Sequence, residues 1–156
     1  MPLLSTERKV FTEVVKGVAE FENISGVDYN YARAACEGSA AIEPMGVPMV
    51  WVAASDAFEV FVAQAIPTVD SSLPDGSPVC IVVGQKEGRG VNKADVTLSS
   101  TSQDLTVLYK GAAVIVSEGV TWGSISGANK ALFLKALAKQ DILSTTSATV
   151  ADPAYV

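Results

Sequence analysis

Apolar and polar positions alternate along this chain in blocks that change period several times. Val10, Phe11, Val14, Val15 and Val18 recur at spacings of one, three and four, the stripe expected of a helix within Ser5–Phe21. Ser5 or Thr6 would cap it and Glu7 would fall in its first turn. The valines and Gly17 lower helix preference, so a strand is the alternative for this stretch. From Asn23 to Gly46 the chain is rich in Gly, Ala and Asn, with Tyr29 and Tyr31 alternating in a short strand-like patch. Val47–Ala53 and Ala57–Val62 read as two strands about a Ser55-Asp56 turn. Ile66–Pro78 reads as loop, since Pro67, Pro74 and Pro78 surround Asp75-Gly76.

The second half repeats the alternation. Val79–Val83 is a strand and Gly84–Lys93 a polar loop; Asp95–Leu98 and Leu105–Tyr109 form a hairpin-like unit. Ala112–Val116 is a further strand, turned by Glu118-Gly119 into Val120-Thr121-Trp122. Ala128–Gln140 carries Ala131, Leu132, Leu134, Leu137 and Ala138 at helical spacing, with Ser126 as its cap. Lys135 and Lys139 lie near its C-terminus, where cations favour the helix dipole. Asp141-Ile142-Leu143 returns as a strand, and Ser144–Thr149 is a small polar tail. The pattern predicts a mainly β protein with a short C-terminal α-helix, with α+β as the alternative class. Its divisions are an N-terminal arm or helix over 1–22, a β-rich domain over 23–145 and a polar tail over 146–156.

Composition narrows the function. The 156 residues are 49% hydrophobic and 18% charged, against roughly 25% charged in an ordinary soluble domain. Mean hydropathy is +0.32. An excess of apolar side chains is therefore expected to meet other chains. Histidine is absent, which excludes a Ser-His-Asp triad, a Cys-His dyad, histidine-ligated zinc and a histidine pH switch. A net charge of −6 with scattered basic residues argues against nucleic acid and anionic bilayers as partners. Cys36 and Cys80 form no C-x-x-C, and both read as buried free thiols of a protein made in a reducing cytoplasm.

Motifs that would carry chemistry fail on spacing. Gly84–Gly90 lacks the G-K-[ST] of a phosphate loop, and so does Gly123–Lys130 ahead of the helix. Ile125 stands where a nucleophile elbow needs serine. Asp70 and Asp75 flank a Ser/Pro loop, the one place that keeps a carboxylate-only hydrolase as an alternative. Trp51 and Trp122 read as core rather than ligand platform. No catalytic, cofactor-binding or metal-binding residue is assigned.

Leu105-Thr106-Val107-Leu108-Tyr109-Lys110-Gly111, then Glu118–Trp122, then a small helix with Lys130 and Ala131, then Asp141-Ile142-Leu143, resembles the lambda-type phage head decoration proteins. Pro74–Val83 is similar to that family's glycine-led aliphatic strand, so the resemblance spans about residues 74–145. It implies a small β-tulip or barrel-like domain, trimeric, that caps the outer surface of a capsid and stabilises the shell against packaged DNA. The major capsid protein is then the partner and the virion surface the location. The alternative is another β-rich virion component: tail, connector or receptor-binding module. On this reading Leu3, Leu4, Val10, Phe11, Val14, Val15 and Val18 contact the capsid. Tyr109, Trp122, Leu132 and Leu137 serve as core or oligomer contacts. The first seventy residues depart from the family's short Ser/Pro/Gly-rich arm. As an arm, residues 1–18 should be removable without unfolding the rest.

Overall fold

The structure is a computed structural model, and it describes residues 14–18, 30–39, 42, 45–68, 70–84 and 98–146. Its strands are β1 (Val15–Val18), β2 (Tyr31–Glu37), β3 (Pro48–Val52), β4 (Ala57–Val60), β5 (Val79–Gly84), β6 (Gln103–Leu108), β7 (Ala113–Val116) and β8 (Ile142–Thr145). Among the described elements, the α-helix α1 (Gly127–Ala138) lies between β7 and β8, after a 3-10 turn at Ser117–Gly119. The expectation of a mainly β protein with one helix near the C-terminus holds.

Five strands close a barrel in the order β2-β4-β3-β5-β6. β2 runs parallel to β4 and antiparallel to β6, and β3 and β5 complete the wall with antiparallel partners. The β3–β4 hairpin turns at Ala53–Asp56, where Asp56 takes a φ of 51°. Asp and Asn tolerate that left-handed conformation better than most residues. Outside the barrel, β1 and β8 flank β7 in a three-stranded sheet, antiparallel and parallel to it respectively.

The unbroken apolar run Val79–Val83 follows from this layout, because a strand covered on both faces cannot alternate. Cys80 and Val82 belong to the core inside the barrel, with Met49, Trp51, Phe58, Leu105 and Val107. Val79, Ile81 and Val83 belong to a second core outside it, with Val50, Leu108, Ile115, Phe133, Leu137 and Ile142. The helix and the small sheet therefore roof the outer wall of β3, β5 and β6. Trp51 meets Phe58 edge to face at 5.3 Å in the first core, while Phe133 packs on Phe61 at 5.1 Å in the second.

Serine 126 caps α1, its hydroxyl accepting the Asn129 backbone N–H at 3.2 Å. The buried face of the helix is Phe133 and Leu137, one turn apart. Phe133 was not among the residues picked from the helical spacing, and Leu132, which was, stands 56% exposed.

Three further expectations change. The N-terminal stripe favours a helix, with a strand as the alternative; Val15–Val18 takes the alternative, a strand bonded to β7, and residues 1–13 lie outside the described residues. Val14 and Val15 are fully buried in the outer core. Residues 14–18 thus belong to the domain, and the boundary at residue 22 does not separate an arm from it. Second, the strand expected at Leu105–Tyr109 runs instead over Gln103–Leu108. Leu98 lies outside any strand, and β6 pairs with β2 and β5; residues 95–97 lie outside the described residues. Third, the short patch at Tyr31 extends to seven residues, with Tyr31, Ala34 and Cys36 turned to the cores. The alanines between them conceal the alternation from a hydropathy reading.

Most large apolar side chains among the described residues go inward. Among the described residues the large hydrophobics left well exposed are Val62, Leu132 and Leu143.

Candidate docking surface

The C-terminal half of α1 and the proline-bearing loop before β5 form two walls of a half-open groove of about 520 Å3. Ile66, Pro67 and Pro78 line it from the loop; Leu132 and Ala136 line it from the helix. Lys135 and Lys139 stand along its helical rim, with Asp75, Ser77 and Gln140 among the polar side chains that line it. An apolar centre with a charged rim is the usual make-up of a protein contact surface.

The loop is rigidified from within. Asp75 Oδ1 accepts hydrogen bonds from the Ser77 backbone N–H at 3.0 Å and the Ser77 hydroxyl at 2.6 Å. Its other oxygen lies 3.8 Å from Lys110 Nζ. Ser71 donates to the Ser77 carbonyl at 2.5 Å, and Gly76, at φ +75°, closes the turn where a side chain would strike Asp70. Gln140 fastens the end of the helix to the barrel. Its Nε2 donates to the Tyr109 carbonyl at 2.6 Å and the Val79 carbonyl at 2.9 Å. The loop wall is thus braced within itself and by Lys110, and the helix wall is tied to Val79 of β5 and to Tyr109 just past β6.

The charge of the groove follows from these bonds. Its one carboxylate, Asp75, is already engaged by Ser77 and Lys110. Lys135 and Lys139 make no ion pair among the described residues. A locally positive rim therefore stands on a chain of net charge −6.

The residues singled out in the sequence fall in different places. Leu3, Leu4, Val10 and Phe11 lie outside the described residues. Val14 and Val15, expected to face a capsid, are enclosed in the outer core, and Val18 ends β1. Tyr109 and Leu137 are buried. Trp122 is half-buried, its indole N–H donating to the Ser117 carbonyl at 2.7 Å and its ring edge to face with Phe133 at 6.0 Å. Leu132 alone of that group reaches the groove. Sequence reasoning recorded Lys135, Lys139 and Asp75 but could not join them, because helix and loop are brought together only by packing against β5. Gln140 carried no signal, since nothing local marks a glutamine that will bond two distant carbonyls.

The thiols are inert. Cys36 and Cys80 are both free and buried in the barrel. Burial pushes the Cys36 thiol from 9.0 up to about 12, with a smaller push from Asp104. Burial raises Cys80 as well, and Cys36 adds to it. Among the described residues no three His, Cys, Asp or Glu side chains are grouped to hold a metal ion. No helix among them is long and apolar enough to cross a membrane.

The fold and its surface define a class: a small closed β-barrel roofed by a helix and a three-stranded sheet, with a lysine-rimmed apolar groove on one side. Comparison of the chain with known protein families, with curated proteins and with solved structures gives no match.

Proposed function

We propose that this chain is a structural protein that decorates and cements the outer surface of a phage capsid, its partner being the major capsid protein. The observation that carries the reading is the succession of elements across the stretch that resembles lambda-type decoration proteins. β6 leads through Gly111 to β7, the 3-10 turn, α1 and β8, in the order read from Leu105 to Leu143. The acidic balance also supports it, since a protein on the outside of a shell should not compete for packaged DNA. A cement stabilises by mass action: binding only the mature shell favours that state at every site it occupies.

Purified protein added to expanded, empty heads tests the proposal, with occupancy measured by sedimentation and the docked position by electron microscopy. Saturable binding to the outer surface is the expected result; no binding, or binding at the tail end alone, overturns it. Phe11→Asp should lower occupancy far more than Lys9→Ala, because burial of an aromatic ring outweighs one rim charge. Occupancy should persist in molar salt, where screened contacts fail.

A further inference from the structure

We infer that the groove between the second half of α1 and the loop before β5 is a docking site for an extended protein segment carrying bulky apolar side chains flanked by carboxylates. The inference rests on the cement reading only for the source of that segment, a capsid subunit. Its chemistry is read from the groove itself.

Apolar complementarity comes first. Leu132 is 56% exposed on a helix whose buried residues are Phe133 and Leu137, and it faces the groove that Ile66, Pro67, Pro78 and Ala136 also line. A leucine left in water on the wall of an apolar trough is a ready anchor contact for a side chain from another molecule. The roughly 520 Å3 of space falls within the range of built binding sites. It is half-open to solvent, so an occupant seated there stays partly exposed, as a segment of chain laid over a surface does.

Charge then selects the segment. Lys135 and Lys139 lie four residues apart, so both ammonium groups rise from the same rim of the helix. Asp75, on the opposite wall, is held by the Ser77 N–H, the Ser77 hydroxyl and Lys110, and does not neutralise them. The C-terminal end of α1 would itself repel a carboxylate, and the two lysines reverse that sign at the rim. Acidic side chains flanking the apolar anchor therefore complete the rim, and basic ones are rejected by it. Neither loop nor helix needs to move, because Gln140 and the Asp75–Ser77 bonds hold both walls in place.

The test is a titration of the full isotopically labelled chain, followed by NMR, with a short synthetic peptide alternating leucine and aspartate. A counterpart alternating leucine and lysine is the control. The acidic peptide should shift amide resonances of the 66–68, 75–78 and 132–140 segments, and the basic one should not. Lys135→Glu with Lys139→Glu should weaken the acidic peptide about tenfold and admit the basic one. Leu132→Asp should abolish the shifts. All three side chains are exposed or lie on the rim, and unchanged far-UV circular dichroism and Tm keep the comparison valid. Equal binding of both peptides, shifts confined to other faces, or no shifts at millimolar peptide overturn the inference. Self-association of the free chain that the lysine reversal abolishes also overturns it, by giving the groove to a second copy. Peptide binding without head binding leaves the groove standing and removes the cement reading. Head binding unaffected by the lysine reversal, without peptide binding, does the opposite.

Discussion

Gly111 sits where a side chain has no room. A Cβ there would lie 1.7 Å from the Asp141 carbonyl oxygen and 2.4 Å from its carbon, both backbone atoms that hold the start of β8 against β7. The Gly111 N–H donates to the Gln140 carbonyl at 2.9 Å and the Ala113 N–H to the Asp141 carbonyl at 3.2 Å, so the two segments cannot part cheaply. Gly111→Ala should therefore lower stability by more than about 3 kcal/mol, above the usual cost of overpacking, as read from urea denaturation. The thiols give a second test at this scale. Cys36 titrates near 12 in the fold against 9.0 outside it, and Cys80 is shifted the same way. Below pH 9 both are protonated in either state and nothing is lost. Above it the unfolded chain releases protons that the native one retains, so stability falls, by about 1.4 kcal/mol per pH unit for each thiol. Between pH 9 and 11, Cys36→Ala/Cys80→Ala should lose stability more slowly than the parent. Equal slopes would show that the thiols are not buried.

The elements differ in how firmly they are built in. Phe133 and Leu137 carry the packing of α1, with Phe133 between Phe61 and Trp122. Phe133→Ala should cost about 3–5 kcal/mol, while Leu132→Ala, on the groove side, should stay within about 0.5 kcal/mol. Chemical denaturation of the two variants separates a helix packed by Phe133 from one packed by Leu132. β1 makes the contrast with the expected arm. Val14 and Val15 are fully buried beside Ile115, and Val15–Val18 bonds to β7. Removing residues 1–18 should cost about 3–6 kcal/mol from those two valines alone. A truncation to residue 18 that melts like the parent would return β1 to the status of an attached arm.

At the scale of the whole molecule the two cores share one wall. β3 and β5 each send alternate side chains to the barrel interior and to the outer core, as Met49 and Val50 or Cys80 and Ile81 show. Neither core can be exposed without stripping the wall of the other. Trp51 lies in the inner core and Trp122 packs against the outer one, so each reports a different side. Single-tryptophan variants, Trp51→Phe and Trp122→Phe, should show coincident fluorescence transitions in urea, as a two-state domain requires. Separated midpoints would mean that the roof of helix and sheet melts before the barrel.

The local pattern by itself determined much of this protein. The strands at β3, β4, β5 and β7, the proline loop, the Ser126-capped helix and the buried thiols all follow from signals within a few residues: period, turn chemistry and capping. The same local signals left the N-terminal stripe between helix and strand, because valines at spacings of three and four satisfy a helix in isolation while their branched side chains favour a strand. Val15–Val18 is a strand because β7 offers an edge and the outer core offers burial, and both lie about a hundred residues away. β2 was underestimated for a related reason: its alanines pack against the barrel core through a pairing with β6 that no local hydropathy records. The groove is the clearest case. Leu132, Lys135, Lys139, Asp75 and Gln140 are each ordinary in sequence, and only the docking of α1 against β5 sets them around one space. Backbone periodicity is a local property of the chain, whereas a surface made by two distant segments exists only once the core between them has been packed.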